Sequence, residues 1–327
     1  MKKIIFIAND PGGYDVIIPV YKWFLNMNNY KTIIMLTGKA AERANEEKKT
    51  IEDIRREILK DDICSEDILL VTGTSWNSDI EANAIKYCKS KSIRTVSILD
   101  YWSNYKLRFK LGENYEFPDY FFVMDELAVS EAEEDGVDRS IMKIVGTPGL
   151  DKYLNKKIKV NQKGNVLFLS QPLSVLYGDD LGYTEYDAFE KVIKACDELK
   201  LNVHIKFHPK DDESFKEKYS KYSIDGELES LCETHEYIVG MSTMGLLQCA
   251  LMGAKVISFQ PGLRQNDMSI VNKLGITKGA FSYSDLISNI QTNEKENIEH
   301  KPFWMDGNST KRCVCEIKKI LKNNCKD

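Results

Sequence analysis

A histidine, a proline and two lysines at the end of a strand-like run have the types and spacing to hold a phosphate group. His208 and Pro209 follow the apolar run 203–207, and Lys206 and Lys210 lie on either side. Proline rigidifies the turn, and an imidazolium there can neutralise a phosphate leaving group or donate a proton to it. The alternative is a histidine with a structural role only. We take His208 as a candidate catalytic residue, with Pro209 and Lys210 as candidate phosphate-binding neighbours.

A second motif further along the chain offers two hydroxyl groups where a helix is expected to begin. Ser242, Thr243 and Gly245 precede or open the apolar helix predicted over 246–252. Backbone N–H groups and the helix dipole favour anions at such a position. The alternative is an ordinary N-cap without a ligand. Together with the histidine turn, and with Gln171 in a long loop after another strand, the motif predicts a nucleotide or nucleotide-sugar site.

The first half of the chain carries a glycine-rich segment after its first predicted strand. Asn9, Asp10, Gly12 and Gly13 stand there, and glycine allows the backbone to approach a ligand closely. The spacing is not the G-x-G-x-x-G fingerprint, so NAD binding is not supported. The alternative is a tight turn without a ligand. Asp10 is a candidate general base, and the other three are candidate loop or acceptor-binding residues.

Asp100 and the residues after it leave another buried strand. Asp100 could take a proton from an acceptor hydroxyl, and Tyr101 could stack on a sugar or base, with Arg108 close in sequence. The alternative is a capping aspartate beside aromatics wedged in a domain interface. Thr74, with Glu81 following, is a weaker candidate because hydroxyls before a helix are most often caps.

These candidates stand in a chain that alternates strand and helix patterns, which predicts parallel sheets with helices on both faces. The predicted strands are 3–8, 31–36, 68–71, 94–99, 120–123, 141–145, 165–169, 203–207, 237–239 and 255–259. The predicted helices are 15–27, 40–59, 79–90, 125–135, 186–199, 212–221, 246–252, 283–291 and 309–323. A lysine-rich stretch, 152–164, is interpreted as a linker between two such series.

The length of 327 residues suits two domains, each able to bury a core. We expect an α/β protein with two Rossmann-like domains, 1–155 and 156–327. The second ends in a helix, 309–323, that could pack back on the first. Ligands bind at the carboxyl ends of strands in such folds, so the candidate loops would line a cleft if the two domains face each other.

Composition excludes several classes of function. The net charge of −5, with both signs interspersed, argues against broad nucleic-acid binding. No signal peptide and no apolar run of transmembrane length is visible, so we expect a cytoplasmic protein. The eight cysteines form no C-x-x-C pair and indicate reduced thiols. The four histidines are not spaced as metal ligands, and Asp179-Asp180 is interpreted as a solvated pair, so no metal is expected.

The two motifs resemble those of a known superfamily. His208-Pro209 and Ser242-Thr243 look like the nucleotide-binding domain of GT-B glycosyltransferases, nearest to bacterial sialyltransferases, polysialyltransferases and, more loosely, CDP-glycerol glycerophosphotransferases. The segment 170–173 also resembles sialyltransferase sequences. In that group the histidine and hydroxyls hold the phosphate of the cytidine nucleotide. The resemblance implies a metal-independent glycosyltransferase without a cofactor, moving a sugar from a CMP-, CDP- or UDP-linked donor to a hydroxyl of a glycan acceptor in polysaccharide biosynthesis.

The same order of elements is similar to the hydrolysing UDP-N-acetylglucosamine 2-epimerases. They too carry a His-Pro turn and a glycine-rich helix start, but their second motif is typically Ser-Gly-Gly with a glutamate nearby. This chain has Ser242-Thr243-Met244-Gly245 and Gln248 instead. Epimerisation or hydrolysis of a nucleotide sugar is therefore the alternative function, and a non-catalytic nucleotide-binding protein is a further one.

The acidic motif that supplies the base in sialyltransferases has a match by letters in Glu134-Asp135-Gly136. That match lies where a charged helix is expected to end, with glycine at its cap. We therefore prefer Asp100 or Asp10 as the base. The partners implied are a nucleotide sugar and a glycan acceptor, with no nucleic acid and no transmembrane segment. Peripheral membrane contact and the oligomeric state are left open.

Overall fold

The structure is a computed structural model that describes residues 1–292 and 303–322, and the chain divides into two compact units. Unit 1 takes Met1–Lys152 together with Pro302–Asp327, and unit 2 takes Tyr153–Lys301. The C-terminal helix therefore belongs to unit 1, although it follows unit 2 in the sequence.

The elements alternate along the chain. The strands are β1 Lys2–Ala8, β2 Tyr30–Leu36, β3 Ile68–Thr72, β4 Arg94–Ile98, β5 Lys110–Leu111, β6 Asn114–Tyr115, β7 Tyr120–Val123, β8 Met142–Ile144, β9 Asn165–Leu169, β10 Asn202–Lys206, β11 Tyr237–Gly240 and β12 Lys255–Ser258. The helices are α1 Pro11–Leu25, α2 Gly38–Ala44, α3 Ile51–Leu59, α4 Ile80–Ser90, α5 Glu126–Glu134, α6 Asp151–Leu154, α7 Leu173–Tyr177, α8 Glu185–Leu199, α9 Glu213–Lys218, α10 Leu228–Thr234, α11 Met244–Leu251, α12 Ile270–Lys273, α13 Tyr283–Gln291 and α14 Ser309–Lys322.

Unit 1 is built on a six-stranded sheet in the order β2-β1-β3-β4-β7-β8, and all neighbours are parallel. The interior strand β1 is apolar on both faces, and Ile4 to Ala8 are fully buried. Such a strand suits a sheet with helices on both sides. The apolar face of α14, with Val314 and Ile317, joins Phe6 and Val16 in the same buried cluster. The last helix is thus part of the core of unit 1.

Unit 2 has a smaller parallel sheet in the order β10-β9-β11-β12. Its register aligns Lys206, Leu169, Gly240 and Ser258 across the four strands. Every strand therefore ends at the same edge, and the segments that follow the strands emerge there. An aromatic cluster around Phe189 packs one face of the sheet.

Two predicted helices differ from the structure for local reasons. The helix expected to start at residue 15 begins at Pro11, because proline at the first helical position fixes a helical φ after the extended Asp10. Gly12 and Gly13 therefore lie in the first turn of α1 and not in a loop. The single helix predicted over 40–59 is two helices, because Asn45 ends α2 with a left-handed φ of 54° and Thr50 opens α3 with a capping box.

In unit 2 the sequence patterns gave no sign of three short helices, α7, α10 and α12. The predicted helix 212–221 ends at Lys218, and a single 3-10 turn follows. Position 323 of the predicted C-terminal helix lies outside the described residues. In the residues that are described, no helix combines the length and the apolar character needed to cross a membrane.

One buried carboxylate in unit 1 gathers three donors from different parts of the chain. Asp125 accepts from the indole Nε1–H of Trp102 at 3.1 Å and from that of Trp304 at 2.9 Å. It also caps α5 by accepting from the Ala128 amide at 2.9 Å. Both indoles are buried, so removal of the carboxylate would leave two buried N–H groups unsatisfied.

We expect Asp125→Ala to lower the free energy of unfolding of unit 1 by about 2.5–8 kcal/mol, the sum of a lost N-cap and two unsatisfied buried donors. Urea denaturation followed by tryptophan fluorescence measures it. Asp138→Ala is the matched control, because Asp138 caps a turn through the Ser140 amide but is exposed. Its loss should stay within about 1 kcal/mol. An equal loss in both variants would show that the indole hydrogen bonds contribute nothing.

Candidate functional site

The predicted nucleotide-binding residues of unit 2 follow adjacent strands at the carboxyl edge of its sheet. Gln171 comes after β9, His208 after β10 and Ser242 after β11. Because β9 lies between β10 and β11, the ends of the two outer strands are roughly 10 Å apart, two inter-strand spacings. This edge is where doubly wound sheets bind ligands.

Gln171 and Ser242 contact each other directly. The Ser242 amide donates to Gln171 Oε1 at 2.8 Å, and Gln171 Nε2 donates to Ser242 Oγ at 3.5 Å. Both residues are half-buried. The side chain of Gln171 therefore fixes the backbone at the start of the β11–α11 connection, which is the role of a positioning residue.

The N-terminus of α11 lies immediately after this contact. Thr243 is its N-cap, and its Oγ1 accepts from the Gly245 amide at 3.2 Å. The Thr243 hydroxyl thus does serve as a cap, and its hydrogen remains able to donate. Gly245 lies inside the helix, since α11 begins at Met244 and not at residue 246. No acidic side chain occupies the first turn, so the positive end of the helix dipole is not neutralised locally.

His208 lies in a compact turn that fixes its ring. The His208 amide donates to Asp211 Oδ2 at 2.7 Å, and the Lys210 amide donates to His208 Nδ1 at 3.1 Å. Because Nδ1 accepts, the proton of the neutral imidazole lies on Nε2. Pro209 and Lys210 are exposed, whereas His208 is half-buried. The turn therefore presents the ring as a donor through Nε2.

Asp211 is a site residue that sequence reasoning missed. Its side chain is 4% exposed, and burial raises the pKa of its carboxyl, against the Ser170 hydroxyl and the His208 amide, which lower it. Aspartate side chains often close turns by accepting from nearby backbone amides, so an aspartate in the turn after His208 was the available signal.

Gln260, at the end of β12, belongs to a buried polar network and not to an open surface. Gln260 Nε2 donates to Asp267 Oδ1 at 2.6 Å, and Asp267 also accepts from the Ser269 amide and from Asn272. This network holds the connection after β12 in place.

The candidates of unit 1 gather at the carboxyl edge of the larger sheet. Asp100 Oδ1 accepts from Arg108 at 2.5 Å and from the Thr74 hydroxyl at 2.9 Å. The Arg108 side chain is 3% exposed, and Arg108 Nε also donates to the Ser103 carbonyl. Asp100 is therefore anchored through one oxygen, and its other oxygen, Oδ2, lies beside Gly12.

Two glycines at the start of α1 make this arrangement possible. A Cβ on Gly12 would lie 2.0 Å from Asp100 Oδ2. A Cβ on Gly13 would lie 3.1 Å from the Thr74 amide and 3.3 Å from Gly73. The glycines are needed for close approach between the start of α1 and the segments after β3 and β4, which the sequence alone did not show.

A second buried carboxyl lies in unit 1 beside the first loop. Glu81 Oε1 accepts from the Asn9 amide at 3.0 Å and from the Ser75 hydroxyl at 2.8 Å. Burial raises the pKa of Glu81 to about 7, and the charge of Asp10 adds to the rise, whereas the Ser75 hydrogen bond and the amides of Glu81 and Asn9 lower it. Asn9 in turn donates from Nδ2 to Asp10 Oδ1 at 3.2 Å.

The aromatics after Asp100 divide between structure and surface. Trp102 and Tyr105 are buried, and Tyr105 donates to Glu131 at 2.6 Å. Tyr101 is half-buried and packs edge-to-face on Trp102. Of the three, only Tyr101 keeps a surface that a ligand could contact. Glu134 ends α5, and Gly136 follows at a φ of 89°, so the acidic match found by letters is a helix C-terminus, as expected.

No group of three or more His, Cys, Asp or Glu side chains in residues 1–292 and 303–322 is arranged to hold a metal ion. No protein-family model matches the sequence, and a search of curated proteins finds no significant match.

Solved structures of other proteins do match along almost the whole chain. UDP-GlcNAc 2-epimerase from Methanocaldococcus jannaschii aligns with a TM-score of 0.68 at 14% identity, covering 98% of this chain and 100% of that one. Its complex with UDP-GlcNAc and UDP aligns with a TM-score of 0.65 at 12% identity and the same coverage. The Neisseria meningitidis enzyme bound to UDP-GlcNAc gives 0.62 at 11% identity, covering 98% and 100%.

At this level of identity the likeness establishes the fold. The predicted fold class, α/β with two Rossmann-like units of the GT-B type, is confirmed. These three solved structures are epimerases. The finer resemblance to sialyltransferases stays a prediction.

The contact between Gly12 and Asp100 gives a direct test of the unit 1 site. Glycine to alanine inside a helix ordinarily stabilises by about 0.5–1 kcal/mol. We expect Gly12→Ala to destabilise instead, by about 1–3 kcal/mol, because the anchored carboxylate must move. The measurement is denaturant unfolding of Gly12→Ala, Asp100→Ala and the double variant. In the Asp100→Ala background the cost should shrink or reverse. A stabilising Gly12→Ala in the wild-type background would contradict this placement of the carboxylate.

Proposed function

We propose that this protein is an enzyme that binds a nucleotide-linked sugar and breaks the bond between its anomeric carbon and the phosphate. The observation that carries the proposal is the carboxyl edge of unit 2. There, the imidazole of His208 follows β10, and two hydroxyl groups and the N-terminus of α11, with no acidic residue in its first turn, follow β11 on the other side of β9. Such donors stabilise the charge that develops on a departing phosphate.

We propose a UDP-linked N-acetylhexosamine as substrate, with 2-epimerisation or hydrolysis as the reaction. Support comes from the near-complete coverage shared with epimerases whose structures contain UDP-GlcNAc or UDP. This proposal replaces the cytidine nucleotide that the motif resemblance favours.

The reaction needs groups that stabilise the departing phosphate and groups that transfer protons. When the C1–O bond breaks, its electron pair stays with the phosphate oxygen, which would accept from His208 Nε2–H, Ser242 and Thr243. Inversion at C2 requires that one proton leaves that carbon and another is delivered to the opposite face, while water supplies the hydroxyl at C1. Carboxylates suit both proton transfers, and Asp10 and Asp100 of unit 1 are the proposed groups. Asp100 would act through Oδ2, because Oδ1 already accepts two hydrogen bonds.

A glycosyltransferase is the second candidate, and one observation favours it. The start of α11 reads Ser242-Thr243-Met244-Gly245, and half-buried Gln248 stands in its second turn. The epimerases typically carry Ser-Gly-Gly and a glutamate there. In a transferase, an acceptor hydroxyl would attack the anomeric carbon, and the same carboxylates would take its proton.

Incubation with UDP-GlcNAc in the absence of any acceptor separates the two candidates. We expect release of UDP together with a sugar of inverted or unchanged C2 configuration. Proton NMR of the reaction mixture measures both products. Asp10→Asn and Asp100→Asn should lose this reaction. Turnover that appears only when a hydroxyl acceptor is supplied would establish the transferase. Binding of UDP in calorimetry without turnover under either condition would leave a binding protein.

We expect His208→Ala to lower kcat by about 100-fold or more, the scale of losing one donor to the developing charge. Steady-state kinetics on the preferred substrate measures this. His204→Gln is the control at a nearby histidine. His204 lies in β10, just before the turn of His208, but its ring pairs with His235 at 3.0 Å. It should keep kcat close to wild type. Unchanged turnover in His208→Ala would remove the imidazole from the mechanism.

A further inference from the structure

Glu81 is a buried carboxyl of unit 1 that finds hydrogen-bond donors in the described chain on only one of its two oxygens. It lies in the first turn of α4 and is 2% exposed. Its Oε1 takes both of the donors that come from the neighbouring loops, the Asn9 amide and the Ser75 hydroxyl. Its Oε2 is buried and has no hydrogen-bond partner among the described residues. The Glu81 carboxyl has no part in the proposed reaction.

The two donors connect the segments that carry the candidate residues. Asn9 directly precedes Asp10 and donates to it, and Ser75 directly follows Thr74, which donates to Asp100. A single buried carboxyl thus links the segments that follow β1 and β3. A change at Glu81 would reach Asp10 through the adjacent Asn9, and Asp100 through Ser75 and the hydrogen bond from Thr74.

Oε2 of Glu81 is buried without a hydrogen-bond donor from residues 1–292 and 303–322, so ionisation of this carboxyl costs free energy. An ionised carboxylate needs donors at both oxygens, and here the described residues supply donors to one oxygen only. Asp10 is the charged group whose field acts on Glu81, and it opposes ionisation. The Ser75 hydroxyl and the amides of Asn9 and Glu81 are neutral donors that favour ionisation. The balance raises the pKa to about 7, so the group changes charge near neutral pH.

We propose that Glu81 is a positioning residue whose protonated carboxyl holds the Asn9–Asp10 segment in the geometry that the reaction uses. This rests on the proposed function for the meaning of that geometry. Ionisation at higher pH places a charge on a carboxyl whose Oε2 is buried without a donor from the part of the chain that the structure describes, and this cost outweighs the preference of the Asn9 amide for the charged form. A conformation in which the carboxyl reaches water, and the hydrogen bond to the Asn9 amide is lost, therefore becomes more populated. The native state binds this proton more tightly than the unfolded chain, whose carboxyl has its ordinary pKa near 4.5. The contribution of Glu81 to stability is therefore complete below that value and is lost as the pH rises through about 7.

Hydrogen exchange of the Asn9 amide, corrected for the intrinsic rate at each pH, reads the contact without any need for activity. In the wild type we expect its protection to fall between about pH 4.5 and 7 and to level off above that range. In Glu81→Gln, where the amide oxygen can still accept, protection should be independent of pH. Glu126→Gln is the matched control, since Glu126 opens α5 but is exposed. It should follow the wild type.

Ser75→Ala provides a second variant should Glu81→Gln fail to fold. It keeps the carboxyl and removes a donor that favours ionisation, so the midpoint of the fall should move to higher pH. Protection that is flat in the wild type, or that falls equally in Glu81→Gln, overturns the proposal. So does a midpoint that Ser75→Ala leaves in place.

The kinetic arm tests the positioning role itself. The pH profile of kcat should contain a decline near pH 7, where the loss of protection is complete, and Glu81→Gln should lack that decline while KM stays close to wild type. The positioning role would be overturned if the exchange of the Asn9 amide changed with Glu81→Gln but the pH profile of kcat did not. The contact would then be structural only. If no nucleotide sugar is turned over at all, the proposed function fails, and the exchange experiment still reports on Glu81 separately.

Discussion

The parallel hydrogen-bonded register of the two sheets is the constraint on which the candidate site depends. In unit 2 the alignment of Lys206, Leu169, Gly240 and Ser258 makes four strands end together. Each following segment must then leave from one edge, whatever its sequence. Chemistry-bearing residues that are far apart in the chain meet there because of backbone pairing, and their own side-chain contacts only refine the arrangement.

The features that were predictable from the sequence are those set by local patterns. Continuous apolar runs such as β1 identify buried parallel strands, and His208 with Pro209 identifies a rigid turn. The start of α1 was not predictable in this way. Proline followed by two glycines is typical of a loop, yet it forms a helical turn here. The glycines are required by Asp100 and Thr74, which approach from distant parts of the sequence, and no local pattern contains that information.

The burial of carboxyl groups was even less predictable from local sequence patterns. Glu81, Asp125 and Asp211 each take a defined set of donors, but most of those donors lie far along the chain or on the backbone. A carboxylate in a sequence is ordinarily exposed, so its burial emerges only with the fold. The short motifs pointed to the GT-B fold, which the likeness to solved structures confirms. They do not indicate which reaction follows.

The division of unit 1 between the two ends of the described chain has a consequence during synthesis. The buried face formed by Phe6 and Val16 is covered by α14, and Trp304 reaches Asp125 from the same C-terminal segment. A ribosome translating at ordinary rates needs roughly ten to thirty seconds to add the intervening residues. Throughout that interval the N-terminal part of unit 1 lacks its last helix, whereas unit 2 is a continuous segment. Unit 1 is therefore the first unit to be started by the ribosome and the last to complete its fold.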